Sequence, residues 1–358
     1  MDKKTLTLFA SAAALAAAPA LAQTVVAQTG GRLSLTTPNS DQSVKIEVGP
    51  IAGAVRVFGF PGLADGQQYS GVGGLTVLTG AGRDAVEVVA ETPQTFDVTV
   101  DTGAGDSETK VKWKILAGGS ANAATIDINS AASGSQIASV EIDSEVQNAT
   151  ITVRAPSASD ATTIIQSSNP TAFLRAFVET AAPKNAFSLS SSASTLQLDL
   201  RGGSISRSND LSYSISQSRP AAVSVNWAIA GSNADDKIEA KIAAPGSTIT
   251  QRGLARGYAG SDLLQFETDG FGTTTGLTLN GGDGNDILTQ SIKGRFLASQ
   301  TLQTRLLGGN GDDQLTLTTD TGIFGTGLPN DLFPVINCGP GVDRFNAFGQ
   351  IVGCESRL

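Results

Sequence analysis

The chemistry available to this sequence is concentrated in its glycine–aspartate turns. Gly281-Gly282-Asp283-Gly284-Asn285-Asp286-Ile287-Leu288-Thr289 has glycine at the first, second and fourth places, aspartate at the sixth and an apolar residue at the eighth. The pattern returns in full at Gly308-Gly309-Asn310-Gly311-Asp312-Asp313-Gln314-Leu315-Thr316. It returns again, with cysteine in first place, at Cys338-Gly339-Pro340-Gly341-Val342-Asp343-Arg344-Phe345. Weaker copies lead to Asp262 and Asp236, and fragments of the pattern surround Asp84 and Asp106. A hard cation such as calcium takes six to eight oxygens in a flexible shell. A tightly curled backbone offers carbonyl oxygens, glycine permits the curl, and aspartate adds charge. Aspartate and glycine also favour ordinary turns. The weight therefore lies in two complete copies, a near-complete third and their regular spacing.

Other chemistries are excluded by composition. The 358 residues include no histidine, which removes Ser-His-Asp catalysis, histidine-ligated zinc and HExxH proteolysis. The formal charge is −9, which disfavours nucleic acid and anionic lipid and suits a cation. Residues 1–22 read as a Sec-type export leader. Lys3 and Lys4 precede a short alanine-rich apolar run, and Ala20-Leu21-Ala22 forms a cleavage site. No other stretch approaches spanning length, so no membrane span is expected in the mature chain. The expected location is extracellular or periplasmic. In such a compartment the two cysteines, Cys338 and Cys354, are expected to pair as a disulfide that pins the last coil.

The elements that must position these turns follow from the spacing. Asp210, Asp236, Asp262, Asp286, Asp313 and Asp343 recur about every 25 residues, and a steady period of that size is a solenoid signature. The fold class is therefore all-β: a single-chain parallel β-helix, with right-handed coils expected. Glycine at 41 residues and charged residues at only 16% fit many short strands and tight turns. Upstream, comparable segments start at Asn122 and Asn148, one period apart, but the next starts at Asn185, well beyond a further period. That excess predicts a short helix over 170–181, with Asn169 as N-cap, Pro170 at the first helical position, and Phe173, Leu174, Phe177 and Val178 on one face. The remaining organisation is read as an N-terminal capping β region at 23–75 and the solenoid at 76–358.

The nonapeptide pattern resembles the RTX, or hemolysin-type, calcium-binding repeats, over about residues 231–346. In that family calcium sits between stacked turns, held by the aspartate and by turn carbonyls. The resemblance implies Asp286 and Asp313 as the strongest carboxylate ligands. It implies carbonyls of Gly282, Gly284, Gly309 and Gly311 as secondary ligands, with Asp283 and Asp312 nearby, and Asp343 and Asp262 extending the row. The family's repeats usually run in tandem, whereas the complete copies here, starting at Gly281 and Gly308, stand a whole period apart. One row of turns per coil is therefore expected instead of two.

Three functions are compatible with this reading. The first is a calcium-stabilised extracellular binding or structural protein, whose Ser/Thr/Gln-rich faces meet a polysaccharide or another cell-surface component. The second is a calcium-dependent polysaccharide lyase or hydrolase, with Arg201, Arg207, Arg252 or Arg256 as base. The third is an adhesin built on threonine. The sequence shows too few exposed aromatic candidates to favour the enzyme, since Trp113 and Trp227 lie in alternating patterns that suit a core.

Overall fold

The computed structural model describes residues 24–357 except 52, 93, 115–120, 132, 144–145, 169–170, 295–301, 320–333 and 348–349. The leader proposed for 1–22 lies outside the described residues. The architecture is a β-solenoid of parallel stacked coils with about 26 residues per turn. Each coil contributes one strand to each of two parallel ladders. Sheet A stacks Gly74–Leu78, Phe96–Thr102, Ala121–Ser130, Val146–Ala155, Phe173–Thr180, Thr195–Gly202 and Ala222–Ala230 in turn. Sheet B stacks Gln42–Val48, Asp84–Ala90, Ser107–Lys114, Ser135–Asp143, Asp160–Ser167, Lys184–Ser191 and Asp210–Gln217. Lys237–Ala259 and Leu263–Asp283 each serve both ladders, the first half in sheet B and the second in sheet A. Ile287–Lys293 and Gln314–Thr319 extend sheet B, and Arg305–Asn310 extends sheet A.

Side-chain alternation explains why these segments are strands. Leu196, Leu198 and Leu200 point inward from Thr195–Gly202, while Gln197, Asp199 and Arg201 point outward. One apolar core runs the length of the solenoid, and both tryptophans lie in it, Trp113 at 0% and Trp227 at 3% exposure. Phe187, Tyr213, Trp227 and Phe266 form a continuous aromatic run with ring centroids 6.3, 5.6 and 5.3 Å apart. At the N-terminal end the parallel ladders are flanked by antiparallel strands. Val25–Thr29 pairs with Arg32–Thr36, and Gln42–Val48 pairs with Val55–Phe58, which pairs with Gln67–Tyr69. Such flanking strands leave less bare parallel edge for another chain to pair with.

The helix expected over 170–181 is instead a strand, Phe173–Thr180. Leu174, Ala176 and Val178 face the core with a period of two, and the strand is paired on both sides, to Val146–Ala155 and to Thr195–Gly202. The long interval from Asn148 to Asn185 that suggested an insertion compares strands of different sheets. Asn148 is in register with Phe173, one coil on, whereas Asn185 lies half a coil later in sheet B. Asn169 and Pro170 lie outside the described residues.

Cys338 and Cys354 form a disulfide with Cα atoms 5.2 Å apart and a separation of 16 residues. Cys338 is fully buried, so the bond ties the last strands, Gln350–Val352 and Ser356–Arg357, to the core. Closing a loop of this size is worth about 3 kcal/mol on the chain-entropy account. The paired substitutions Cys338→Ser and Cys354→Ser are expected to lower stability by up to that amount. Amide exchange should accelerate first at Asp343 and Arg344, which pack against the released segment. Unchanged exchange there would show that the last coil holds without the pin.

Candidate functional site: an aspartate ladder along one edge

The glycine-rich turns all carry the chain from sheet A into sheet B, so they stack along one edge of the solenoid. The motif aspartate is the last turn residue before each sheet B strand, and its side chain turns inward. Asp236, Asp262, Asp286, Asp313 and Asp343 are each no more than 3% exposed. One carboxylate oxygen of each accepts the backbone N–H of its counterpart in the preceding coil. The Asp262 Oδ1 takes the Asp236 N–H, the Asp286 Oδ1 takes the Asp262 N–H, the Asp313 Oδ1 takes the Asp286 N–H, and the Asp343 Oδ1 takes the Asp313 N–H, all at 2.8 Å. The ladder ends at Glu355, whose Oε2 accepts the Asp343 N–H at 2.8 Å. At its other end the Asp236 Oδ1 accepts from the Asn209 backbone N–H at 2.6 Å and from the Asn209 side-chain amide at 3.0 Å.

One rule thus joins the whole ladder, but two of its members were not legible as site residues. Asn209, not Asp210, is the counterpart of Asp236. Asn209 is 2% exposed, while Asp210 faces solvent as the first residue of its strand. A slip of one residue exchanges inside for outside. Glu355 reaches the row only because the disulfide-closed loop brings it back under Asp343.

The second carboxylate oxygen distinguishes Asp236 from the four aspartates that follow it. At Asp236 both oxygens are satisfied. Its Oδ2 accepts the Ser232 N–H at 2.5 Å, and its Oδ1 accepts the Ser232 hydroxyl at 3.1 Å. At Asp262, Asp286, Asp313 and Asp343 the Oδ2 atom is buried and has no hydrogen-bond partner. A buried carboxylate oxygen without a partner is costly. Burial pushes the Asp262 carboxyl up to about 7, Asp286 to about 6 and Asp313 to about 7. The backbone donor works against the rise, and neighbouring ladder carboxylates add to it at Asp262 and Asp313. Asp343 is raised by burial as well.

The first glycine of the motif exists to admit this side chain. A Cβ on Gly281 would fall on the Asp286 Oδ2, and Gly257 and Gly308 stand in the same relation to Asp262 and Asp313. The other motif glycines set the coil spacing. Gly284 has φ 130° and lies directly over the carbonyl oxygen of Gly260, and Gly311 repeats this over Gly284. Gly282 and Gly309 stack likewise over Tyr258 and Gly282. The glycine carbonyls implied as ligands are therefore aligned along the solenoid axis. Asp283 and Asp312 are exposed on the outside of the turns, where they accept hydrogen bonds from the Asn310 amide at 2.7 Å and the Val342 N–H at 2.9 Å. They do not join the buried row.

The upstream fragments use related bonds at separate places. Asp84 is 2% exposed and its Oδ1 accepts the Gln42 N–H at 3.2 Å, while the Asp106 Oδ1 accepts the Ser135 N–H at 2.9 Å. Both border a groove of about 440 Å³ shared with Asp41, Arg83 and Glu108. Of the arginines considered as bases, Arg201 is engaged with Asp199 and lies 5.0 Å from the Phe177 ring, Arg252 and Arg256 are exposed on sheet A, and Arg207 is exposed in a turn. Among the described residues no helix is long and apolar enough to cross a membrane.

No family model, curated protein or solved structure matches this chain. The chemistry of the ladder must therefore be argued from its own atoms. Among the described residues no three acidic or cysteine side chains converge on one point. A cation at the ladder would accordingly draw one carboxylate oxygen from each coil and complete its shell with backbone carbonyls. The orphaned Oδ2 atoms fit that demand, being acidic oxygens spaced one per coil and unused by the protein.

The raised carboxyl values fix the sign of a pH effect. The folded ladder holds protons more tightly than the unfolded chain, where aspartate titrates near 4. The resulting stabilisation is fully present below about pH 4 and is lost as pH rises through about 6 to 7. In chelator, the melting temperature is expected to fall between about pH 5 and pH 8. A melting temperature that is flat or rises across that interval would show that the ladder carboxyls are not held neutral by the fold.

Proposed function

We propose that the chain is an exported β-solenoid that binds calcium along its aspartate ladder, and that ion uptake is coupled to completion of the fold. The observation that carries this reading is the contrast between Asp236 and its successors. At Asp236, where serine replaces the second motif glycine, Ser232 satisfies the carboxylate, and in the four later coils one buried oxygen per coil is left without a protein partner. A row of buried carboxylates repels itself and is stabilised by whatever positive charge enters. Calcium suits oxygen donors in a flexible shell, and Asp286 and Asp313, in consecutive complete motifs, are its first ligands. Asp262 and Asp343 extend the row, and the carbonyls of Gly282, Gly284, Gly309 and Gly311 supply the remaining oxygens.

The coupling to folding follows by mass action. An ion that binds only the stacked turns stabilises the folded state in proportion to the logarithm of its concentration. Scarce calcium before export would leave the C-terminal coils loose, and plentiful calcium outside would close them. The disulfide supports an oxidising destination. The biological role in this reading is that of a binding or structural scaffold whose sheet faces meet a partner.

Thermal unfolding of residues 23–358 in EDTA and in a calcium series tests the proposal. The expected result is a melting temperature that climbs with calcium and does not climb with equimolar magnesium, which dehydrates reluctantly and demands octahedral geometry. Superimposable curves in EDTA and calcium would reduce the ladder to a hydrogen-bonding device sustained by protons alone.

A further inference from the structure

The two sheet faces divide their cations by type. On the outer face of sheet A, from Val146–Ala155 to Arg305–Asn310, the exposed cations are Arg154, Arg175, Arg201, Arg252, Arg256 and Arg305, and the strand bodies carry no lysine. On the outer face of sheet B the cations are mostly lysines, and most of them are compensated within that face. Lys45 pairs with Glu47, Lys110 with Glu108, Lys237 with Glu239, and both Lys241 and Lys293 with Glu267. Sheet A has no such balance. Its six arginines face three strand carboxylates: Glu179 and Asp199, which engage Arg154 and Arg201, and Asp283 at the turn end of its strand. Arg175, Arg252, Arg256 and Arg305 make no ion pair among the described residues. A chain of charge −9 thus concentrates unpaired guanidinium on one sheet face.

We infer that the arginine face of sheet A is a docking surface for a linear polysaccharide that carries carboxylates. A guanidinium offers a rigid planar fork matched to a carboxylate, where an ammonium offers a hydrated point charge. The face contains an internal example of the contact: the Arg201 Nε and Nη2 both donate to the Asp199 carboxylate, each at 3.4 Å. Arg154 and Arg201 occupy one side-chain column with Glu179 between them, so their strands are about 10 Å apart. Both guanidinium groups lie against the Phe177 ring, at 5.3 and 5.0 Å, which limits their freedom. Between the arginines stand Thr150, Gln197, Ser224, Asn226 and Thr250, which offer hydrogen bonds to sugar hydroxyls. The surface suits other polyanions less well. Phe177 is already covered by two guanidinium groups and offers no free face to a nucleobase. This inference does not depend on the calcium reading.

The test uses a short oligogalacturonate, too short to gel, titrated calorimetrically into residues 23–358 in calcium-containing buffer. Two variants of equal charge change are compared. One carries Arg175→Gln, Arg252→Gln, Arg256→Gln and Arg305→Gln. The other carries Lys110→Gln, Lys184→Gln, Lys237→Gln and Lys241→Gln on sheet B. The parent should bind the acidic oligomer and ignore neutral dextran oligomers. The arginine variant should bind about tenfold or more weakly, while the lysine variant stays near the parent. The paired change Arg252→Gln and Arg256→Gln alone should give a smaller loss in the same direction, which keeps the test valid if the fourfold variant folds poorly. No binding by the parent overturns the inference. So does equal weakening by both fourfold variants, which would indicate net charge alone, or tighter binding of a single-stranded oligonucleotide. Because the readout is the difference between two variants with intact ladders, a failure here leaves the calcium proposal standing, and a failure of that proposal leaves this one standing.

Discussion

Replacing Asp286 and Asp313 together by asparagine is expected to remove most of the calcium-dependent rise in melting temperature while leaving the chain in chelator at about pH 8 as stable as the parent or more so. The two effects have separate causes. The asparagine Oδ1 still accepts the N–H of the preceding coil, so the hydrogen bonds of Asp262 and Asp286 at 2.8 Å are retained. What disappears is the charge, which in the parent sits on a buried oxygen with no partner. Burying an unpaired neutral amide costs less than burying an unpaired carboxylate. Without calcium the variant is relieved of that cost, and with calcium it lacks the ligand. The alanine counterparts should behave differently. Asp286→Ala and Asp313→Ala each delete the acceptor as well, leaving a buried N–H unpaired at about 1–3 kcal/mol apiece, so they should be destabilised in both buffers. Melting curves of the parent, the asparagine pair and the alanine variants in EDTA and in calcium read the result. An asparagine variant that melts well below the parent in EDTA would mean that the ladder carboxylates already have partners.

Gly284→Ala and Gly311→Ala are expected to be the most damaging single substitutions in the C-terminal half. Each needs a Cβ where the carbonyl oxygen of the preceding coil stands, Gly260 for the first and Gly284 for the second, and each has a φ near 130° that disfavours a side chain. The obstacle is backbone, which cannot rotate away, so the coils must separate locally and the hydrogen bond from the Gly284 N–H to the Asn310 carbonyl at 2.7 Å goes with them. A loss on the order of 3–5 kcal/mol in urea unfolding is expected for either. Gly276→Ala is the matched control. Its Cβ would meet only the Arg252 side chain at 3.6 Å in ordinary contact, so the change should be close to neutral. Comparable losses at all three positions would show that stability responds to any added methyl and not to coil stacking.

Much of this architecture was legible because it repeats. The aspartate row from Asp236 to Asp343, the coil length, the disulfide and the inward tryptophans all follow from periodicity, cysteine context and alternation. The errors share a different cause. The segment at 173–180 carries apolar residues that satisfy both a helical face and a strand face, and only its two ladder neighbours decide between them. Asn209 lacks the carboxylate that marks the row in sequence, so residue type points to Asp210 while register selects Asn209. Both stand about one coil before Asp236, yet Asn209 is buried and its neighbour Asp210 is exposed. The part played by Ser232 has no one-dimensional signature. It becomes visible only where its N–H and hydroxyl meet the Asp236 carboxylate and the following coils have nothing equivalent.

The central claim is that the ladder's unpartnered oxygens are calcium ligands, and calorimetric titration of calcium into residues 23–358 tests it most directly. The account predicts saturable binding with at least one ion per chain, abolished by the paired Asp286→Asn and Asp313→Asn changes and retained by the lysine-face variant. Absence of binding up to about 10 mM calcium, above the range of weak extracellular sites, would contradict it. Binding that survives in the asparagine pair would contradict it equally, by placing the ion elsewhere on the molecule.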